Sequence, residues 1–188
     1  MIRLPIASIV CASTTSLLLF ASAVNAQTTQ PAQQAQPANT VRLHEADQTF
    51  VNEGTQGVAT QRDAARIATS RSTDREVKAF AGKVAADNGK MADALRAASP
   101  RGVDVPHNNP DMATLNGIKN LRGAEFDKAY IEQVALGGEQ KTLSAFQAEI
   151  ASGRNAELKD AARKALPKIQ AQYAAAQELA KRKHLAAQ

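Results

Sequence analysis

From Val41 onward, apolar residues recur at intervals of three and four, with no alternating run of the kind a half-buried strand requires, so the pattern predicts an all-α chain. A first helix is expected from about Leu43 to Ser70, with Phe50, Val58, Ala65 and Ala68 on one face and Gly54 and Gly57 letting a neighbour come close. Ser72, Thr73 and Glu76 are start signals for a second helix, Thr73 and Glu76 having the spacing of a capping box. That helix extends to about Ala98 and carries the clearest stripe: Val77, Phe80, Ala81, Val84, Met91 and Leu95. Pro100, Gly102, Pro106 and Pro110 punctuate a loop. A short helix follows from about Pro110 to Leu121 through Met112, Leu115 and Ile118, with Gly123 ending it.

The next long helix holds Phe126, Tyr130, Val134, Leu136, Leu143, Phe146 and Ile150; Gly137-Gly138 weakens it and Gly153 stops it. The last is expected from about Ala156 to Ala186, with Leu158, Ala162, Leu166, Ile169, Tyr173, Ala176 and Leu179 facing inward. Pro167 inside it should kink or restart the helix, because proline lacks the amide proton and crowds the preceding turn. Four long amphipathic helices with one longer middle connection specify a four-helix bundle with a crossover. Phe50, Phe80, Phe126, Phe146, Tyr130 and Tyr173 all fall on inner faces, where core packing accounts for them.

The residues ahead of the helices have a different character. Arg3, an apolar run from Ile6 to Phe20 and small residues up to Ala26 have the layout of a secretory signal over residues 1–26, cut near Ala26. The product is then expected to be periplasmic or otherwise exported. Residues 27–42, rich in Gln, Pro and Ala, have almost nothing to bury and are expected to form a disordered spacer, leaving 43–188 as the helical domain. The single cysteine, Cys11, lies in the leader, so the mature chain has no thiol for a disulfide, a nucleophile or a metal. A lipid anchor at Cys11 is disfavoured by Val10, where such processing needs a small residue. Beyond the leader, no run approaches the roughly 20 apolar residues of a membrane span.

A solvated face does not explain a polar residue on an apolar stripe, and each long helix has one. Gln61 lies between Val58 and Ala65, Asn88 between Val84 and Met91, Glu139 between Leu136 and Leu143, and Gln172 between Ile169 and Ala176, all at helical intervals. One inward polar group per helix is the arrangement that bundles use for metal sites, but these residue types do not suit one. A transition metal wants imidazole or several carboxylates, and Glu-x-x-His is absent from the chain. Three amides and one carboxylate fit a hydrogen-bonded polar layer that fixes helix register. Glu139 is the exception, since an ionised carboxylate in a core is costly unless paired or protonated. It is expected to have an amide, Lys or Arg partner, or to sit near the surface at Gly137-Gly138.

Val77-Lys78-Ala79-Phe80-Ala81 through Asp87-Asn88, Gly123-Ala124-Glu125-Phe126-Asp127-Lys128-Ala129-Tyr130, and Ala165-Leu166-Pro167 resemble the exported bacterial family catalogued as domain of unknown function 4142. The resemblance covers about Ala46 to Leu179. It implies a ferritin-like four-helix bundle with a crossover connection containing a short extra helix, in a family often labelled as outer membrane proteins. Typical members carry His after the Asp of the second helix, in the middle of the helix that follows the crossover, and shortly after Leu-Pro, with Glu common on the first helix. Asn88, Glu139, Gln172 and Gln61 stand at those positions here. The resemblance therefore implies fold and export, while the missing histidines imply a diverged member without the metal centre.

The three histidines, His44, His107 and His184, lie off the core stripes. His44 and Asp47 could share a helix face, and His107 with Asp104, Asp111 and Met112 could make a loose surface site for copper or zinc, but ordinary exposure explains them. The full chain has 23 Lys plus Arg against 18 Asp plus Glu, a net charge of +5. Lys159, Arg163, Lys164, Lys168 and Lys181-Arg182-Lys183 concentrate positive charge on the last helix, which complements its dipole. The rival use of that charge is weak association with an anionic membrane surface. Nucleic acid is disfavoured by the export signal and by the lack of an aromatic platform. With no nucleophile elbow, phosphate loop or dinucleotide fingerprint in sight, a non-enzymatic bundle of the cell envelope without a cofactor is expected, acting by binding or in stress protection. The alternative is a weak metal-binding or oxidoreductase bundle centred on Glu139 or the surface histidines.

Overall fold

The computed structural model describes residues 42–185; the expected leader, the spacer up to residue 41 and the last three residues lie outside that range. Within it the chain is all-α. Helix α1 covers residues 45–71, Glu45–Thr49 and Thr55–Arg71 being joined without a break by a π-helical turn at Phe50–Gly54. Helix α2 is Arg75–Ala97 and the short α3 is Met112–Lys119. Helix α4 covers residues 123–152, with a π-helical stretch at Tyr130–Gly138 between Gly123–Ala129 and Glu139–Ser152. Helix α5 is Ala156–Arg182.

Polar side chains set several of these boundaries. Asp74 accepts from the amides of Glu76 (2.8 Å) and Val77 (3.2 Å), Asp111 from Ala113 (2.9 Å), and Asn155 from Leu158 (2.9 Å), satisfying amides that have no partner inside the helix. The cap of α2 is thus Asp74 rather than Thr73. Ser72 is extended and its Oγ accepts from the Asp74 amide (3.1 Å), which moves the start along by one residue and puts a carboxylate against the helix dipole. Gly123 does not end α3, which stops at Lys119; it opens α4 with φ +56°, a conformation that glycine takes without a Cβ clash.

Two further expectations change at Pro167 and at the end of α5. Pro167 lies inside α5 and the helix does not restart there. The helix ends at Arg182, short of Ala186, because His184 takes φ +55°. The Leu185 amide then bonds the Ala180 carbonyl (2.9 Å) and the His184 amide bonds that of Lys181 (3.1 Å). This is a Schellman stop, completed by Leu185 folding back onto the core.

Each of α1 and α5 packs along both α2 and α4. Asp47 meets the turn after α4 at Arg154 while Gln61 meets Val134, so α1 and α4 are antiparallel. Asp74 meets Lys183 while Asp87 meets Lys168, so α2 and α5 are antiparallel too. The three-residue links 72–74 and 153–155 join antiparallel neighbours, and residues 98–122 must travel the length of the bundle to connect α2 with α4. This is the single-crossover, ferritin-like order. Arg62, buried on α1, holds the crossover by donating to the His107 carbonyl (3.3 Å) and to Asn108 Oδ1 (2.6 Å), while Asp63 balances its charge (2.8 Å). The Asp111 amide donates to Thr60 Oγ1 (2.8 Å).

The apolar interior falls into two parts. One contains Ala64, Ala65, Ala68, Val77, Val84, Phe126, Tyr130, Ile131, Val134 and Ala176. The other contains Phe50, Val58, Met91, Leu95, Phe146, Leu158 and Ile169. Phe50 and Phe146 meet edge to face at 4.9 Å, and Phe126 stacks on Tyr130 at 6.2 Å. Phe80 and Tyr173 are only partly buried, although both pack on the first part. No described helix is long and apolar enough to cross a membrane.

Candidate functional site

Gln61, Asn88, Glu139 and Gln172 are all buried, one from each long helix, and they lie where the two parts of the core meet. On α1, Val58 belongs to one part and Ala64 to the other, with Gln61 between them. Val84 and Met91 flank Asn88 in the same way, Leu136 and Phe146 flank Glu139, and Ile169 and Ala176 flank Gln172. A polar level therefore divides the apolar interior.

Its members are joined unequally. Gln172 Nε2 donates to Asn88 Oδ1 at 3.0 Å, tying α5 to α2. Gln61 Nε2 donates to the Val134 carbonyl at 2.8 Å, tying α1 to the π-helical stretch of α4. In a π turn the regular i to i+4 ladder is interrupted, which makes room for a side-chain donor at a main-chain carbonyl. The approach depends on Gly138: a Cβ there would run into Gln61 Nε2. Gly57 does the same service nearby, since its missing Cβ leaves room for Thr142 Oγ1 of α4.

Glu139 departs from expectation. It is 2% exposed, forms no ion pair among the described residues, and its Oε1 is buried without a hydrogen-bond partner. Neither the amide or cationic partner nor the surface position expected for it is found. Gly137-Gly138 does not break α4 but lies in the wide π turn, so the helix carries Glu139 directly into the interior. Burial in an apolar setting pushes its carboxyl up to about 8, so at neutral pH the group keeps its proton instead of finding a countercharge. Burial, and then the nearby Glu139, raise the Tyr130 hydroxyl as well; that hydroxyl and Gln172 Oε1 also lack partners.

The spacing on α4 also turns a second carboxyl inward, Glu149, which is not among the four residues expected at the polar level. Glu139, Thr142, Phe146 and Glu149 recur at three, four and three, and all four are buried. Burial first, then Asp47, pushes the Glu149 carboxyl up to about 7. Asp47, three residues before Phe50 on the α1 stripe, is also buried, and its Oδ1 accepts from the amides of Arg154 (2.8 Å) and Asn155 (3.0 Å) at the entry to α5. Both residues lie on apolar stripes, Asp47 three before Phe50 and Glu149 three after Phe146, and that spacing is the signal the sequence carries for them.

The surface histidines have local structural partners. His44 Nδ1 accepts from the Ala46 amide at the start of α1 (3.4 Å), His107 Nε2 meets Asp93 on α2 (2.9 Å), and His184 is the helix stop. Asp111 spends its carboxylate on the cap of α3 and on Thr114 Oγ1 (2.7 Å). Among the described residues no group of three or more His, Cys, Asp or Glu is placed to hold a metal ion.

Bundles of this order commonly carry a metal centre between their helices, and the four residues at this level can be tested against one. The buried oxygens without partners on or beside these four residues belong to Glu139, Gln172, Tyr130 and Asp87, with no imidazole among them. Burial raises the Glu139 carboxyl, so a bound cation would have to displace its proton. The donor set does not fit a transition-metal site. Much of the positive charge on α5 is also committed within the fold. Lys164 pairs with Asp160 (2.7 Å), Lys168 with Asp87 (3.4 Å), Arg182 with Glu76 (2.8 Å), and Lys183 with Asp74 (2.5 Å) and Glu76 (2.7 Å).

A family model described as "Domain of unknown function (DUF4142)" matches residues 29–179. No curated protein and no solved structure matches the chain.

Proposed function

The chain belongs to the DUF4142 family, and from that premise we propose that it is an exported, non-enzymatic bundle protein of the bacterial cell envelope, acting by binding or in stress protection. In this reading it is a diverged member, in which a neutral hydrogen-bonded level takes the place of the histidine centre that the resemblance implies for typical members. The observation that carries the reading is the donor set at the centre: Asn88 bonded to Gln172, Gln61 bonded to main chain, and Glu139 held protonated. The apolar run in residues 1–26 supports export. The ion pairs along α5 weigh against a role in which its cations serve chiefly to grip lipid head groups.

The test is elemental analysis of protein purified from the exported fraction, together with the mass of its amino terminus. A mature chain starting at Gln27 without stoichiometric iron, copper, zinc or manganese is expected. Stoichiometric metal that disappears in Glu139→Ala would overturn the reading of the centre, and an uncut chain in the cytoplasm would overturn the reading of export.

A further inference from the structure

The first turns of α1, the end of α4 and the link 153–155 meet around two carboxyls, Asp47 and Glu149, each 1% exposed. Asp47 Oδ1 accepts from the Arg154 amide (2.8 Å) and the Asn155 amide (3.0 Å), so one side chain fastens α1 to the link that enters α5. Glu149 approaches from α4, within hydrogen-bond reach of the Asp47 carboxyl. Its place depends on Gly153, where a Cβ would collide with Glu149 Oε1. Neither oxygen of Glu149 receives a hydrogen bond from an amide, hydroxyl or cation among the described residues. Two ionised carboxylates in contact are strongly disfavoured, whereas one proton between them turns repulsion into a hydrogen bond. Asp47 already takes two amide protons, so Glu149 is the donor of the pair. Lys159 on α5 favours the ionised form of Glu149, but burial and Asp47 outweigh it. His44, Glu45 and Glu53 of α1 and Lys141 of α4 border the hollow that reaches Glu149, and none of them bonds to its carboxyl.

We propose that Asp47 and Glu149 are an acid-closed latch: the proton they share fastens the first turns of α1 to the link between α4 and α5, and its loss frees that end of α1 while the rest of the bundle stays folded. The freed part is Glu45–Thr49, because the next residue, Phe50, is buried with its ring edge to face on Phe146 at 4.9 Å. The inference does not depend on where the protein is delivered or on the composition of its centre, so its failure would leave the proposed function standing.

The Arg154 and Asn155 amides report on the latch directly, because they exchange with solvent only when Asp47 leaves them. In the closed latch burial, and then Asp47, hold the Glu149 proton up to about 7; in the open one it leaves near the ordinary value of 4.5. The closed form binds the extra proton between those values, so opening becomes easier as pH rises through them and changes little above pH 8. Hydrogen exchange of the purified protein, followed by NMR and corrected for the intrinsic rate at each pH, tests this. Protection of the two amides should fall about 40-fold from pH 5 to 7 and level off above pH 8. Glu149→Gln, whose carboxamide donates the same hydrogen bond without titrating, should keep their protection nearly constant. In that variant the amides of α2 should retain the pH dependence that Glu139 gives to global unfolding. Asp47→Asn, which removes the facing charge, should shrink the fall and keeps the test decisive if the first variant does not fold. No fall in the wild type would overturn the proposal. So would a fall undiminished in either variant, or protection of Arg154 and Asn155 equal to that of the α2 core at every pH, which would mean that they open only with the whole bundle.

Discussion

Glu139→Gln should remove a large pH-dependent term from the stability of this protein. In the unfolded chain the carboxyl loses its proton near the ordinary value of 4.5, whereas in the folded protein burial holds the proton up to about 8. Between those values the folded state binds one more proton than the unfolded state, so stability falls as pH rises; below 4.5 the penalty is absent, and above 8 it is complete. The difference of roughly 3.5 units, at about 1.4 kcal/mol each, amounts to about 5 kcal/mol. That is a large part of the 5–15 kcal/mol typical of a domain. Glutamine has nearly the same shape and no charge, so near pH 4.5 the variant should differ from wild type by about 1 kcal/mol. Urea unfolding followed by far-UV circular dichroism from pH 4.5 to 9 measures the difference. The interval from pH 7 to 8 is the most diagnostic, because Glu149, pushed up only to about 7, is half titrated at its start and contributes less across it than Glu139. Wild type should lose about 1 kcal/mol across that unit relative to the variant, with unchanged m-values. Parallel curves for the two proteins would refute a Glu139 that is buried and neutral.

Glu149→Gln should roughly halve the fall in stability between pH 5 and 7, the rest being due to Glu139, and leave most of the step above pH 7 in place, by the same sign argument and in the same titration. Gly57→Ala would push a methyl group into Thr142 and should destabilise by about 1–3 kcal/mol, visible as a lower urea midpoint. Arg62→Ala should release the crossover, accelerating hydrogen exchange around His107 and Asn108 and leaving Asp63 without its buried partner; protection there equal to wild type would contradict the anchoring role. His184→Gly, at φ +55°, should stabilise by about 1 kcal/mol by removing the left-handed penalty, read as a rise in melting temperature.

The polar level shows how far a one-dimensional pattern can reach. Gln61, Asn88, Glu139 and Gln172 were legible because each replaces an apolar residue in a stripe of period 3.6, and such a residue is buried whatever its chemistry. Their bonding was not legible, since the partners lie 73 and 84 residues apart in the chain. Asp47 and Glu149 lay on the same stripes but at helix ends, where a charged residue is ordinarily solvated. At Asp47 the link 153–155 packs against α1 and brings the Arg154 and Asn155 amides onto the carboxylate. Arg62 gave no signal at all: its burial comes from a crossover that passes over α1.

The hydrophobic period, the glycines and prolines and the capping side chains determined by themselves the helices, their approximate limits and the single crossover, because those features act through contacts within a few residues. Tertiary structure decided the protonation of Glu139 and Glu149, the π-helical course through Gly137-Gly138, the stop at His184 and the pairing of Asp47 with Glu149. Each of these depends on what a neighbouring helix excludes or supplies, and dielectric surroundings and close packing arise only when distant segments of the chain are brought side by side.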